Sequence, residues 1–139
     1  MNDDKKIEVI WVQPMREAQV IEIDNDLASM QELVDGYIEE YMPFEDDAAI
    51  VCNGEGKLMG LPPNRAIYDQ DGHMQEVICG SFFICYAPID SEEFGSLPED
   101  MKKKYMEKFK APERFFMTAE GIKAVKLDTQ KPRNDIRER

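Results

Sequence analysis

Residues 50–67 read IVCNGEGKLMGLPPNRAI, and this stretch decides the fold at the middle of the chain. Asn53-Gly54 follows an apolar run, and such a pair is a strong hairpin signal because both residues tolerate a positive φ. The two prolines further on fix φ and push the residue before them toward extended geometry. We therefore predict a hairpin whose rigid exit presents Asn64 and Arg65.

Two interpretations of Arg65 follow. In the first, Asn53, Asn64 and Arg65 converge on a small anionic ligand such as a nucleotide, because an arginine held by prolines suits a carboxylate or a phosphate. In the second, Arg65 pairs with a helix acid such as Glu39 and holds the hairpin in place. The sequence leaves both interpretations open.

The familiar reaction signatures are incomplete in this chain. Gly54-Glu55-Gly56-Lys57 has Val51 and Leu58 where a phosphate loop needs glycine and Ser or Thr. His73 is the only histidine, and the three cysteines are interpreted as free thiols inside apolar runs: Cys52, Cys79 and Cys85. We expect no cofactor, no metal site and no catalytic residue set, so the chain is predicted not to be an enzyme.

The periodicity predicts an α+β fold with two main helices. Residues 7–12 and 19–23 are predicted to form a hairpin of two strands. Apolar positions from Leu27 to Tyr41 fit one face of a helix that Pro43 ends, and Gly36 is predicted to pack closely against the sheet.

The second half of the chain predicts further elements. Residues 77–87 are apolar on both faces, which indicates a central strand. Ser96-Leu97-Pro98-Glu99 is interpreted as the capping box of a helix that runs to about Lys110 with Tyr105 and Phe109 on one side. Short strands are predicted within residues 115–117 and 122–127.

The order of these elements indicates a single domain over residues 1–127 with a mixed or antiparallel sheet. Strand, strand, helix, strand, strand is the order of a β-grasp-like core (ββαββ), to which the C-terminal helix and short strands are added. Residues 128–139 are polar and charged, and we predict a disordered tail there.

The net charge of −12 comes from one stretch. Residues 17–55 contain twelve acids, and no Lys or Arg occurs from residue 17 to residue 56. Such a surface repels nucleic-acid phosphate, so no direct nucleic-acid binding is expected. The candidate partner-binding acids of this stretch are Glu32, Asp35, Glu39, Glu40, Glu45 and Asp46.

The chain is predicted to be cytoplasmic and not to bind a membrane. Its first six residues are charged, and no run approaches the roughly 20 apolar residues of a membrane span. The oligomeric state is open, because the acidic stretch and the basic residues after Lys102 could attract each other within one copy or between copies.

Several ordered motifs resemble an uncharacterised domain-of-unknown-function family (DUF3846-like) of bacterial plasmids, conjugative elements and phages. They are VIEIDNDL (20–27), QELVDGYIE (31–39), Cys52-Asn53 through Gly56-Lys57-Leu58, GLPxNRA (60–66), GSFF (80–83), FGSL (94–97) and KFKxPE (108–113). The resemblance covers most of residues 7–127 and brings no catalytic residues with it. It implies a small accessory protein of mobile DNA, where counter-defence and regulatory binding are common roles.

These observations lead to three ordered hypotheses for function. The first is a non-enzymatic accessory binding protein of a bacterial mobile genetic element, which engages a host or element-encoded protein with a basic surface through its acidic face, its hairpin or both. DNA mimicry is a narrower form of it. The alternative is a protein that binds or sequesters a small anionic ligand with Asn53, Asn64 and Arg65, and the third is an uncharacterised enzyme whose site is assembled from dispersed acids.

Overall fold

The computed structural model describes residues 5–127, so the tail predicted at residues 128–139 lies outside the described residues. The described chain is a single α+β domain of nine strands and two helices. In chain order these are β1 (Lys6–Val12), β2 (Gln19–Asp24), α1 (Leu27–Val34), β3 (Ile38–Tyr41), β4 (Ala48–Asn53), β5 (Pro63–Tyr68), β6 (Met74–Cys79), β7 (Phe82–Tyr86), α2 (Glu99–Phe109), β8 (Glu113–Thr118) and β9 (Gly121–Lys126).

Five strands form the main sheet in the order β2-β1-β7-β4-β3, and every neighbouring pair is antiparallel. Two separate hairpins, β5–β6 and β8–β9, complete the fold. The predicted hairpin of β1 and β2 is confirmed. The β-grasp-like core is not confirmed, and the central pair of β1 and β7 is antiparallel.

Both faces of the main sheet are covered, because its central strands carry apolar side chains on both sides. On one face, which we call the α1 face, Val9, Val51 and Phe83 pack with Met30 and Val34 of α1. On the opposite face, which we call the α2 face, the side chains of β1, β4 and β7 pack with Tyr105 and Phe109 of α2 and with the β5–β6 hairpin.

The predicted central strand over residues 77–87 is two strands. β7 is central and its residues 82–85 are fully buried, which confirms the apolar pattern on both faces. The break comes at Gly80, whose φ of +88° is strained for any other residue. After this break the chain leaves β6, which pairs with β5, and enters the main sheet.

The predicted first helix is too long. α1 ends at Val34, where Asp35 adopts the left-handed conformation with φ of 63°. The Asn53 side-chain amide donates to the main-chain oxygens of Val34 and Asp35 at 3.0 and 3.2 Å, which satisfies carbonyls at the helix end. Residues 38–41 then form β3, with Ile38 on the α1 face and Tyr41 on the α2 face.

The predicted hairpin over residues 50–67 is also wrong, because β4 and β5 do not pair. β4 pairs with β3 and β7, whereas β5 pairs with β6. The Asn53 side chain explains the difference: its Oδ1 accepts from the main-chain N–H of Glu55 at 2.7 Å. The Asn-Gly pair therefore ends β4 and starts a loop that crosses to the second hairpin.

The prediction for the second helix is confirmed in part. α2 buries Tyr105 and Phe109 as expected. The capping box is wrong, because the Ser96 hydroxyl accepts from the main-chain N–H of Glu8 at 2.8 Å, and the helix begins after Pro98 without a side-chain cap. The short strands predicted near the end of the described chain are confirmed as β8 and β9.

Two glycines are required by close packing. A Cβ atom at Gly36 would lie 2.7 Å from the Asn53 amide nitrogen, which confirms close packing of Gly36, although outside a helix. A Cβ atom at Gly56 would lie 2.6 Å from the main-chain oxygen of Cys79. The crossing loop therefore contacts the end of β6 backbone to backbone.

Gly56→Ala is predicted to destabilise the protein by about 1–3 kcal/mol, because the new methyl group meets a main-chain oxygen that cannot rotate away. Urea unfolding followed by Trp11 fluorescence measures the change. Gly95→Ala is the matched control, since the nearest atom to a Cβ there is 3.9 Å away on the Tyr86 ring. Equal stability of the two variants would contradict the close contact.

Candidate functional site

Arg65, predicted to meet a ligand or a helix acid, is fully buried. Its Nε and Nη2 donate to the main-chain oxygen of Phe109 at 3.1 and 3.0 Å. Nη2 also donates to the oxygen of Arg16 at 2.8 Å, and Nη1 donates to the Asn64 side-chain oxygen at 2.9 Å. The described contacts of Arg65 are thus with main-chain carbonyls and Asn64, and none is with Glu39.

Burial lowers the pKa of Arg65 to about 10, and the nearby Glu113 carboxyl partly opposes that shift. Glu113 is itself buried, and burial raises its pKa although it accepts a hydrogen bond from the Ala66 N–H at 2.9 Å. Phe109 is the last residue of α2, so Arg65 places a cation at the negative end of that helix. Arg65 is therefore a structural cation.

The two asparagines are also buried and used inside the protein. Asn64 donates to the main-chain oxygens of Val12 and Gly80, both at 2.9 Å, and joins β1 to the break before β7. Asn53, 6% exposed, ends α1 and begins the crossing loop, as described above. Asn64 and Arg65 are therefore withdrawn from solvent, whereas Asn53 lines a cavity beside β3.

Five of the six candidate acids are exposed at one end of the sheet. Glu32 lies on α1 and Asp35 follows that helix, Glu39 and Glu40 lie on β3, and Glu45 lies in the loop after β3. We call these five residues the acidic edge surface. They flank β3, which is one of the two edge strands of the main sheet.

Asp46, the sixth candidate, faces inward. Its two carboxylate oxygens accept from the Tyr105 hydroxyl at 2.9 and 2.8 Å, and one also accepts from Lys104 Nζ at 3.2 Å. Burial alone would raise the pKa of Asp46, but these bonds and one from the Ala48 N–H together hold the pKa below its usual range. Asp46 fixes α2 to the loop after β3.

A cavity of about 270 Å³ opens beside β3 on the α2 face. Its lining includes Glu39, Glu55 and Glu76, and the Lys57 ammonium forms an ion pair with Glu76. Cys52 also lines it, and burial, with smaller contributions from Glu39 and Glu76, raises the pKa of that thiol to about 11. Cys52 is therefore a protonated thiol at neutral pH and a weak nucleophile.

A groove of about 500 Å³ lies on the α1 face of the same edge. It combines acids with apolar side chains, and Ile89 is 98% exposed beside it. The residues that line it include Glu40, Met42, Asp47, Ile89, Glu92, Glu93 and Phe94.

Asp69, Asp71 and His73 bring oxygen and nitrogen ligand atoms within 4.8 Å of one another in the turn between β5 and β6. All three side chains are exposed. Asp69 Oδ1 accepts from the main-chain N–H groups of Asp71 and His73 at 2.9 and 2.8 Å. These bonds close the turn.

The structure defines a small α+β protein with an antiparallel sheet covered on both faces and acids along one edge of that sheet. Residues 7–110 match the family described as a domain of unknown function (DUF3846), and the chain belongs to that family. The β8–β9 hairpin lies beyond the matched residues. No curated protein and no solved structure matches the chain. Neither described helix is long and apolar enough to cross a membrane.

Arg65→Met is predicted to lower the free energy of unfolding by about 3–5 kcal/mol, because the carbonyls that Arg65 satisfies lose their donor inside the protein. Urea denaturation measures the loss. Arg16→Ala is the control: its exposed side chain is removed, but the main-chain oxygen that accepts from Arg65 is kept. A loss below about 0.5 kcal/mol, the range of ordinary surface substitutions, would contradict the structural role of Arg65.

Asp46→Asn is predicted to cost about 1–2 kcal/mol at pH 7, because charged hydrogen bonds to Tyr105 and Lys104 are lost. The folded-state pKa of Asp46 is lowered, so its contribution is present above the unfolded value near 4 and disappears as the pH falls through the folded value. Unfolding measured from pH 7 to pH 3 should therefore show the wild type and the variant converging. Asp47→Asn is the neighbouring control. If its stability converged with that of the wild type in the same way, the effect would belong to the loss of any nearby negative charge and not to the bonds of Asp46.

Proposed function

We propose that this chain is a non-enzymatic binding protein whose acidic edge surface engages a basic surface of another protein. The observation that carries the proposal is the position of the acids: they lie on the edge strand β3 and on the segments directly before and after it. Glu39 lies on one face of β3 and Glu40 on the other, and both are exposed. Acidic surfaces attract basic partners and speed their encounter.

Among the described residues that line the cavity beside β3, the one base is Lys57, and its ammonium is already paired with Glu76. No Lys or Arg occurs between residues 17 and 56, which span α1, β3 and β4. Tyr37, at the start of this strand, is 72% exposed. An exposed aromatic side chain beside exposed acids favours protein recognition, because interfaces are enriched in tyrosine.

The proposal includes the setting of an accessory protein of a bacterial mobile element, with a host or element-encoded protein as the partner. DNA mimicry is its narrower form, in which the acids occupy the phosphate site of a DNA-binding protein. That form predicts competition with DNA that weakens steeply as salt is added. The burial of Asn53, Asn64 and Arg65 makes the small-ligand alternative the weaker of the two proposals.

Replacing Glu32, Glu39 and Glu40 together by lysine is predicted to lower capture of basic partners from host lysate by at least about tenfold, because the attraction becomes repulsion. Quantitative mass spectrometry of the captured proteins measures it. The matched control replaces Asp71, Glu107 and Glu120 by lysine, which makes the same charge change at exposed positions outside the acidic edge surface. If the two triple-lysine variants were both folded and lost capture equally, net charge alone would explain the binding. Unchanged capture by the first variant would overturn the proposal.

A further inference from the structure

We propose that an extended, basic segment of the partner pairs with the outer edge of β3 and adds a sixth strand to the main sheet. This inference rests on the proposed function and names how the partner binds. Strand addition supplies affinity through main-chain hydrogen bonds, and side chains on alternate faces supply specificity.

The outer edge of β3 is open among residues 5–127. β3 is the end strand of the sheet, and its described partner is β4 alone. The side chains of β3 point above and below the sheet, whereas its outward N–H and C=O groups lie in the plane of the sheet. These groups are therefore available to pair with another strand.

The ladder between β3 and β4 shows which groups point outward. The Gly54 N–H donates to the Tyr37 oxygen at 2.9 Å, so Ile38 and Asn53 form a pair without direct hydrogen bonds between them. Because the two kinds of pair alternate, Glu39 and Tyr41 direct their main-chain groups to β4. The N–H and C=O groups of Ile38 and Glu40 therefore point away from the sheet.

An added strand would send its side chains alternately to two acidic sites. On the α2 face they reach the cavity lined by Glu39, Glu55 and Glu76, where Lys57 supplies one compensating charge. On the α1 face they reach the groove that Glu40, Glu92 and Glu93 line together with apolar side chains. Charge complementarity on both faces thus requires a basic strand.

The charges also argue against a second copy of this edge as the occupant. Pairing β3 with itself would bring Glu39 and Glu40 against their own copies, and like charges across a strand pair are destabilising. At the opposite edge of the sheet, Lys6 Nζ lies 2.7 Å from Asp24 of β2, so that edge already carries a cation. The outer edge of β3 is therefore unfavourable for pairing with its own copy and favourable for pairing with a basic strand.

The probe is a capped synthetic peptide that repeats Lys-Lys-Val-Val, which places lysine on both faces of a strand, and its binding is measured by titration calorimetry at low salt. We expect it to bind the wild-type protein and an otherwise identical glutamate–valine peptide not to bind. Methylating the peptide nitrogens of alternate residues removes the donors along one edge of the probe. One of the two methylated forms should bind at least about tenfold more weakly, and the other should bind like the parent, because a strand pairs along one edge.

Two substitutions of Glu40 distinguish the contribution of its carboxylate to binding from that of its main-chain N–H. Glu40→Gln removes the carboxylate and keeps the outward N–H, whereas Glu40→Pro also removes that N–H. The β3–β4 ladder does not use this N–H, and proline is tolerated at sheet edges. We expect Glu40→Pro to bind the probe at least about fivefold more weakly than Glu40→Gln, and circular dichroism confirms that both are folded.

Equal affinities of Glu40→Pro and Glu40→Gln, with no effect of methylation on either edge, would overturn strand addition while leaving an acidic binding surface in place. No binding of the lysine–valine peptide would overturn the inference as well, and capture by the triple-lysine variant would still test the proposed function separately. Self-association of the wild type that Glu40→Pro abolishes would assign the edge to a second copy and overturn the basic partner. Should Glu40→Pro not fold, the two methylated peptides decide alone.

Discussion

The buried guanidinium of Arg65 is the interaction on which the arrangement of the domain depends. It joins three segments that are distant in sequence: the loop between β1 and β2, the start of β5, and the end of α2. A buried cation is tolerated only where hydrogen bonds replace its hydration. A packing that separated these segments would leave the charge unpaired, so Arg65 selects one arrangement of the hairpin and helix against the α2 face.

Local sequence patterns were enough to predict the elements whose formation depends mainly on neighbouring residues. The apolar residues on both faces of β7 and the spacing of Tyr105 and Phe109 on α2 were sufficient for those elements. The end of α1 and the path of residues 50–67 were not predictable in this way, because both depend on the Asn53 side chain and its contacts with residues 18 or 19 positions earlier. An asparagine before glycine reads as a hairpin turn until its distant partners are known.

The candidate site was likewise only partly predictable from the sequence. The concentration of acids between residues 17 and 55 is visible in the sequence alone. Which of them face solvent is not, since Asp46 is bound by Tyr105 from 59 residues further along the chain. The status of β3 as an edge strand is a property of the sheet order, and the residues of β3 had matched a helical spacing. Burial of Arg65 and Asn64 could not be read from a stretch rich in turn-forming residues.

Because of the β8–β9 hairpin, the end of the family match and the end of the described domain do not coincide. The match to the family model ends at residue 110, yet the Glu113 carboxylate of β8 accepts from the main chain of β5 and lies near Arg65. In this chain, a residue within the family match is therefore accompanied by a buried acid that lies just beyond the match. A fragment of this chain cut at the end of the family match would therefore lose the buried acid near Arg65 together with the β8–β9 hairpin.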